Sequence, residues 1–393
     1  MSETWRPVTR LERADFYADW LAASERNALD VERSPIVARG REATWIETPN
    51  EHRIAMLIGD QVGFPTNGTN LCTVAIPAGH HTGRHRHGEE AIHILRGTGF
   101  IVVAGRRYDF RAGTTIHIPY MDDHQLFNTG DPDLEYVSAS TMDLDLFVKL
   151  GRLEQLEVKG PNEPGFESRF PAEDGQFDPL DRRIALHLED APNEADRQRK
   201  KKAAAAAAAD HEGHAHASEG AHEGHGHKDH EGQGDKDHKK HEGHDHADEA
   251  PKPGQRLIKS TNPHRHGAIY NLMGGGESHS ELRNGFTAMT VAMTQIFEEV
   301  PHTSSHCHTH TEAVLYVLEG VGFSEIDEEH YDWEAGDAVQ IPPKMTRHEH
   351  FNPSDQQTRT LRIEYGIRYF YEQLWPGYFK IEHRETSAKI ERP

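Results

Sequence analysis

The feature that most constrains the fold of this chain is an internal repeat. Six residues recur, with their residue type unchanged, 223 positions further along the chain. The pairs are His85 and His308, His87 and His310, Glu89 and Glu312, Gly97 and Gly320, Gly113 and Gly336, and Pro119 and Pro342. The register then slips by one residue, so that His124 corresponds to His348 and Asn128 to Asn352. Because 393 residues are two to three times the length of a typical domain, the sequence predicts two copies of one domain.

A histidine-rich segment separates the two copies. Between Asp210 and Ala250 lie 11 of the 31 histidines, 12 acidic residues and four lysines, without any aromatic residue, Leu, Ile or Val. Such a segment cannot bury enough apolar surface to offset its loss of conformational entropy, and it is predicted to be disordered. Its histidines either bind Zn²⁺, Ni²⁺ or Cu²⁺, or belong to an acidic spacer. The predicted parts are 1–190, a helical segment and the first domain; 191–256, an Ala- and His-rich linker; and 257–393, the second domain.

Each copy is typical of an all-β domain. Short runs of β-branched and aromatic residues, such as 100–103, 115–118 and 321–326, are separated by Gly, Asp and Arg. No helical pattern of roughly 10–15 residues lies between these runs, which favours an antiparallel barrel over a parallel sheet with crossover helices. One helix is predicted in 11–34, a stretch free of Pro and Gly.

Composition argues against several classes of protein. The net charge is −22 without a long basic run, so a nucleic-acid partner is not expected. Apolar stretches stay below the roughly 18 residues of a membrane span, and the first residues do not resemble a signal sequence. The two cysteines, Cys72 and Cys307, suit a cytoplasmic protein without a disulfide framework. The apolar N-terminal helix and the aromatic C-terminus predict a homo-oligomer.

The histidines of the first copy have the spacing of metal ligands. His85 and His87 are two residues apart, so in a strand both imidazoles lie on the same face. His124 follows from a distant strand, and Glu90 is a candidate carboxylate ligand. Such a set of N and O ligands binds a divalent metal and leaves coordination positions open for a substrate or oxygen.

These spacings resemble the two-part signature of the cupin superfamily. In the first copy its first part spans Gly79 to Gly97 and its second part spans Gly113 to Asn128. Met121 stands where the family usually has Gly, and the first part is about two residues shorter than usual, which leaves Glu90 open as a ligand. The resemblance covers both halves and implies a bicupin, with two double-stranded β-helix (jelly-roll) barrels in tandem.

The second copy offers one more histidine than a site needs. His306, His308 and His310 alternate along the chain, so all three can share one face of a strand. The constant offset selects His308 and His310, whereas the usual cupin spacing selects His306 and His308 and places Ala313 at the Glu position. His348 completes either set. We therefore expect a three-histidine site without a carboxylate.

A bicupin with nearly His-only sites resembles the gentisate 1,2-dioxygenase group, with short matches at 84–87, 305–309 and 347–352. The resemblance implies an extradiol-type Fe(II) enzyme that cleaves the ring of a gentisate- or salicylate-like aromatic acid with O₂. In that picture the histidines hold iron, and the substrate's hydroxyl and carboxylate chelate it. The alternatives are a Mn(II)-dependent oxalate-type decarboxylase or oxidase, which generally retains Glu ligands, and a non-catalytic metal-binding bicupin.

Residues that contact the substrate are harder to identify. His117 and its equivalent Gln340 precede the third ligand of each copy, and both are predicted to line the cavity as catalytic residues. No arginine stands out as an anchor for a substrate carboxylate, because Arg84 and Arg86 should face away from the metal by strand alternation.

Overall fold

The computed structural model describes residues 16–172, 175–193, 195–197, 199–200, 202–203, 268–274, 284–299, 307–368 and 380–382. His306, the aromatic C-terminal run and most of the predicted linker lie outside these residues. The predicted linker disorder, its metal binding and the domain boundaries stay predictions.

Strands dominate both halves, as the sequence predicts. The first half contains the strands β1 (Val37–Ala38), β2 (Arg53–Ile58), β3 (Asn70–Ile76), β4 (His80–His81), β5 (His85–Arg86), β6 (Glu90–Arg96), β7 (Thr98–Val103), β8 (Arg106–Arg111), β9 (Thr115–Ile118), β10 (His124–Asn128), β11 (Leu134–Ser140), β12 (Glu154–Gln155), β13 (Gly160–Pro161) and β14 (Ala185–Leu186). The second half contains β15 (Ala268–Met273), β16 (Val291–Glu299), β17 (Cys307–His310), β18 (Ala313–Glu319), β19 (Val321–Ile326), β20 (Glu329–Glu334), β21 (Ala338–Ile341), β22 (Thr346–Phe351), β23 (Thr358–Tyr365) and β24 (Lys380–Glu382). The helices are α1 (Phe16–Glu32) and α2 (Met142–Phe147), with short 3₁₀ turns at Gly40–Glu42, Asp60–Val62, Phe166–Arg169 and Leu188–Asp190.

Each half is a barrel made of two antiparallel sheets. In the first half, one sheet has the order β14-β9-β6-β11-β3-β2, and the other has the order β12-β5-β10-β4-β13, with β7 and β8 joined to β10. In the second half, the corresponding orders are β1-β21-β18-β23-β16-β15 and β20-β19-β22-β17-β24. The predicted all-β class and the tandem barrels are confirmed.

The hairpin between β7 and β8 shows how local sequence shapes the barrel. Its two central residues, Ala104 and Gly105, have φ of +48° and +79°, the left-handed pair that a tight two-residue turn requires. The second copy builds the same turn from Asp327 and Glu328, with φ of +49° and +73°. The repeat therefore extends to backbone conformation.

The six-stranded sheets are buried on both faces. In β6, Ile92 and Ile94 belong to the core of the first barrel, whereas Ala91 belongs to a separate core cluster between the halves. In β18, Leu315 lies inside the second barrel and Val314 lies in the cluster between the halves. The two sheets therefore pack against each other, and side chains on alternate positions serve two different cores.

Short strands are exchanged between equivalent edges of the two barrels. Strand β1, near the start of the chain, pairs with β21 of the second barrel, with Val37 opposite Val339. Strand β14, which follows the first barrel, pairs with β9 of that barrel, with Ala185 opposite Ile116. Strands β9 and β21 are equivalent. At this edge the second barrel is closed by β1, which lies before the first barrel in the chain, and the first barrel is closed by β14, which lies between the two barrels.

Two equivalent glutamates join the halves. The carboxylate of Glu89 accepts hydrogen bonds from the backbone N–H of Met289 at 3.0 Å and from the N–H and hydroxyl of Thr290 at 2.6 and 2.8 Å. In the opposite direction, Glu312 accepts from the N–H of Asn67 at 3.0 Å and the hydroxyl of Thr69 at 2.8 Å.

The predicted N-terminal helix is present as α1, although residues 11–15 lie outside the described part. None of its residues is buried, and the side chains of Phe16 and Trp20 are 61% and 66% exposed. Across the described ranges, no helix combines the length and the apolar character needed to cross a membrane.

Candidate metal centres

Three imidazoles meet inside the first barrel. His85 on β5 is paired with His124 on β10, and His87 follows β5 directly. All three are buried, and their ring centroids lie 4.1 to 5.0 Å apart. One nitrogen of each ring lies within 4.8 Å of one nitrogen of each other ring, close enough to hold a single ion.

The remaining ring nitrogens contact the backbone. Nδ1 of His87 lies 2.9 Å from the carbonyl oxygen of Gly88, and Nδ1 of His124 lies 3.2 Å from that of Asp122. Because a carbonyl only accepts, each Nδ1 donates its proton, which leaves Nε2 as the nitrogen available to a metal. Burial, together with the neighbouring imidazoles, lowers the pKa of His85 to about 2, so this ring is neutral. These residues therefore fit a divalent metal.

Glu90 lies beside the three imidazoles. Its Oε2 is 3.3 Å from Nε2 of His87 and 3.4 Å from Nε2 of His124. Burial opposes ionisation of this carboxyl, but its contacts with His124 and His87 outweigh burial and hold its pKa well below the usual range. Ser138 donates a further hydrogen bond to Oε1. The Glu90 carboxylate therefore lies next to the first triad, and its role as a metal ligand stays a prediction.

A second buried carboxyl, Glu51, lies behind this site. It accepts a hydrogen bond from Nδ2 of Asn50 at 2.6 Å, and the hydroxyl of Tyr136 lies 3.5 Å from its Oε2. Burial, followed by the charge of Glu90, raises the pKa of Glu51 to about 8. No motif pointed to this residue, because its loop precedes β2 and lies far from the ligand strands in the sequence.

The second barrel brings together His308, His310 and His348. His308 and His348 are paired between β17 and β22, and the three ring centroids lie 4.4 to 5.9 Å apart. Nδ1 of His310 lies 2.8 Å from the carbonyl oxygen of Thr311, and Nδ1 of His348 lies 3.1 Å from that of Thr346. Burial is the main cause that holds the pKa of both rings well below the usual value, so both are neutral. This triad also fits a metal, with its ligand nitrogens within 4.8 Å of one another.

The second triad follows the frame set by the constant offset, with His306 outside the described residues. Ala313 takes the position of Glu90, because Ala313 pairs with Glu364 just as Glu90 pairs with the equivalent Ser140. Within the described part of the chain, no carboxylate joins this triad. The expected three-histidine arrangement is therefore what the second barrel contains.

The second triad opens onto a cavity. Its volume is about 70 Å³, several times the roughly 10–15 Å³ that one water molecule needs. The walls are mostly apolar, and the polar side chains beside the triad are those of Glu299, Trp333, His350, Thr360 and Arg362. These lining residues include Phe297, Leu315, Trp333, Ile341, His350 and Arg362.

Differences at three positions whose side chains point into the barrel explain why the second barrel contains this cavity and the first barrel has a packed core. The residues Tyr136, Leu126 and Ser138 of the first barrel correspond to Thr360, His350 and Arg362 of the second. Tyr136 and Leu126 pack into the hydrophobic core of the first barrel and fill its centre. The smaller Thr360 leaves that space open in the second barrel, where it lines the cavity.

Sequence reasoning assigned no role to Arg362 or His350. Arg362 forms an ion pair with Glu364. Nδ1 of His350 lies 2.7 Å from Oγ of Ser324, and burial, with a contribution from Arg362, lowers the pKa of His350 to about 4. A signal for His350 existed, since it is two residues from His348 and shares its face of β22. Arg362 becomes visible only when the register of β23 is known.

Neither predicted catalytic residue reaches a triad. His117 lies on β9 between two isoleucines whose side chains fill the first barrel, so its own side chain points to the contact between the halves. There its Nε2 lies 3.3 Å from Oε1 of Glu89. Gln340 is placed in the same way on β21, and its Nε2 donates to the carbonyl oxygen of Pro65 at 2.7 Å. The expectation that both line the cavity is wrong, because the alternation of β9 and β21 turns them outward.

Comparison with known proteins agrees with the duplicated architecture. The cupin domain family matches the chain twice, at residues 72–140 and 295–364, and each match contains one complete histidine triad. Among curated proteins, no sequence matches the chain significantly.

Two solved enzymes are similar in fold along most of the chain. Salicylate 1,2-dioxygenase from Pseudoaminobacter salicylatoxidans, solved as an adduct with gentisate, is 15% identical with a TM-score of 0.50, covering 93% of this chain and 84% of the dioxygenase. A variant of oxalate decarboxylase from Bacillus subtilis is 11% identical with a TM-score of 0.52, covering 92% of this chain and 86% of the decarboxylase. The chain therefore contains two cupin domains, one in each half.

Proposed function

We propose that this bicupin is a non-haem Fe(II)-dependent dioxygenase that cleaves the ring of a hydroxylated aromatic acid with O₂. We propose further that the active site lies in the second barrel. The observation that carries the proposal is the cavity at the second triad. Three imidazoles, an apolar wall and the guanidinium of Arg362 border the same space. The similarity to a salicylate dioxygenase that was solved with gentisate supports an aromatic acid as substrate.

Different side chains of the second barrel would bind the metal and the aromatic ring. Nε2 of His310 and His348 converge with a nitrogen of His308, so all three bind one side of an ion and leave its other positions open. Bound Fe(II) would supply the redox chemistry that joins O₂ to the ring. Phe297 and Leu315 provide apolar surface that accepts a ring and excludes water.

The first site favours a second candidate function, a Mn(II)-dependent oxalate-type decarboxylase or oxidase. Glu90 adds a carboxylate to His87 and His124 there, and carboxylate oxygens suit Mn(II). Glu51, whose pKa of about 8 keeps it largely protonated at neutral pH, is a buried acid near the same site. The similarity in fold to oxalate decarboxylase supports this alternative.

Metal reconstitution separates the two functions. Protein loaded anaerobically with Fe(II) is expected to consume O₂ when mixed with one of a panel of hydroxybenzoates, whereas Mn(II)-loaded protein is expected to release no CO₂ from oxalate. Iron bound stoichiometrically without O₂ uptake on any aromatic acid would refute the dioxygenase. CO₂ release with Mn(II) would establish the alternative.

Two matched substitutions identify the reacting half. His308→Ala is expected to abolish turnover, while the equivalent His85→Ala leaves most of it, because the cavity adjoins the second triad. The reverse result would place the reaction in the first barrel. Bound metal is measured in both variants, and each should lose one equivalent.

A further inference from the structure

A row of three hydrogen-bonding side chains ends at the cavity of the second barrel. Nε1 of Trp333 donates to Oγ of Ser324 at 3.0 Å, and that oxygen lies 2.7 Å from Nδ1 of His350. Ser324 and Trp333 are both buried. Among the residues that the structure describes, the hydroxyl of Ser324 has only these two partners.

The hydrogen-bonding roles of these atoms fix the tautomer of His350. An indole nitrogen only donates, so Oγ of Ser324 accepts from Trp333. Because this buried hydroxyl has no other acceptor among the described residues, it gives its own proton to Nδ1 of His350. Nδ1 is then an acceptor, and the ring proton of the imidazole is on Nε2. The triad histidines His310 and His348 have the opposite arrangement, since their Nδ1 atoms donate to carbonyl oxygens. His350 is therefore suited to donate a hydrogen bond, whereas the triad is suited to bind metal.

Arg362 adds positive charge to the same cavity. The carboxylate of Glu364 forms ion pairs with both Arg362 and Arg368. The side chains of Glu364 and Arg368 are at most 1% exposed and that of Arg362 is 18% exposed. Glu299, which also lines the cavity, pairs with Thr358, four residues or about 13 Å along β23 from Arg362. A guanidinium that borders a mostly apolar cavity favours an anionic ligand there.

The barrel itself does not require these polar side chains. At the positions of Ser324, Trp333, His350 and Arg362, the first barrel has Ile101, Phe110, Leu126 and Ser138. Ile101, Phe110 and Leu126 pack into an apolar core there. The same fold is thus built with an apolar interior in one half, so the polar set of the second half belongs to its ligand site.

We infer that Nε2–H of His350 and the guanidinium of Arg362 together bind the carboxylate of the aromatic acid, and that Ser324 and Trp333 are positioning residues that hold His350 as a donor. This inference rests on the proposed function for its ligand. A planar guanidinium can give two parallel hydrogen bonds to a carboxylate, and the imidazole N–H supplies a further donor. The pair therefore selects acids over the corresponding phenols.

Ligand binding without turnover tests the inference. Anaerobic Fe(II)-loaded protein is titrated calorimetrically with benzoate, salicylate and gentisate, and with phenol as the matched ligand that lacks a carboxylate. Arg362→Met and Arg362→Lys are each expected to weaken binding of the acids by about tenfold or more and to leave phenol binding unchanged, because lysine keeps the charge but loses the planar fork. Arg359→Met, which alters an arginine on the same strand that pairs with Glu298 and Glu319, is the control and should bind like the parent.

The donor role of His350 has its own pair of variants. His350→Leu copies the first barrel and is expected to weaken acid binding severalfold, whereas His350→Gln retains most of it because its amide N–H replaces Nε2–H. Ser324→Ala should resemble His350→Leu, and Ser324→Thr, which keeps the hydroxyl, should restore binding. Metal content and circular dichroism are matched to the parent in every variant.

The outcomes separate this inference from the proposed function. Acid binding that depends on Arg362 and His350 without any O₂ uptake would support the carboxylate site and refute the dioxygenase. O₂ uptake that both Arg362 variants leave intact would refute the carboxylate site alone. Equal losses for acid and phenol, or no acid binding to the parent, would also refute it.

Discussion

His93 should make the stability of this protein depend on pH in a predictable way. It lies on β6, 2% exposed, with Nδ1 3.0 Å from Oγ1 of Thr115. Burial, and then the charge of Arg359 from the other half, lowers its pKa from 6.5 to about 4. The unfolded chain therefore binds a proton that the folded protein does not, and stability is lost as the pH falls from 6.5 through 4.

The size of the loss follows from the shift. At pH 5 the pH is 1.5 units below the pKa of 6.5 that His93 has in the unfolded chain, so His93 is protonated there, whereas in the folded protein it is still mostly neutral. The difference lowers the free energy of unfolding by about 2 kcal/mol. His93→Gln keeps an amide near Thr115 but carries no titrating group. Urea unfolding of parent and variant at pH 7 and pH 5 should show a pH-dependent loss that is smaller by about 2 kcal/mol in the variant. Losses that agree within about 0.5 kcal/mol would refute the reasoning, because metal release at low pH affects both proteins alike.

Four further outcomes are expected. Glu89→Ala should lower the free energy of unfolding by about 3–5 kcal/mol, because it leaves the backbone donors of Met289 and Thr290 without their buried acceptor. Glu89→Gln should lower it by less. Urea unfolding curves that agree for the parent and both variants would contradict this. Glu90→Ala should weaken metal binding at the first site by about tenfold or more and spare the second, so dialysed protein should retain one equivalent of metal and not two. Thr360→Tyr, which copies Tyr136, should fill the cavity and remove salicylate binding while both metals stay bound; unchanged calorimetric affinity would show that the ligand lies elsewhere. Deletion of residues 210–250 should leave turnover intact, and loss of turnover with iron still bound would show a catalytic role for this segment.

Local and repeated features of this protein could be predicted from its sequence. The run 115–118 coincides with β9 and 321–326 with β19, because β-branched residues between turn formers mark short strands. The first triad followed from the two-residue spacing of His85 and His87 and the distant His124. The repeat then transferred this geometry to the second half, including the choice of His310, which motif spacing alone did not settle.

Side-chain direction in the central sheets could not be predicted. Both faces of β9 and β21 are buried, one inside a barrel and one between the halves, so the usual alternation of apolar and polar residues is lost. His117 and Gln340 were therefore assigned to the wrong face. Arg362 was missed for a related reason, because its inward direction depends on the pairing of β23 with β18, which long-range contacts determine.

Because β1 closes an edge of the second barrel, that barrel is not a self-sufficient folding unit, whereas the first barrel and its closing strand β14 lie in one continuous segment of the chain. Residues 37–38 complete an edge formed about 300 residues later, and residues 185–186, although they follow the first barrel, close it at the cleft shared with the second. Cleavage of the chain between residues 204 and 267 should accordingly yield two fragments that remain bound to each other under native conditions. A gene divided at that point would encode two subunits, and the second barrel would stay unfinished until both had been synthesised.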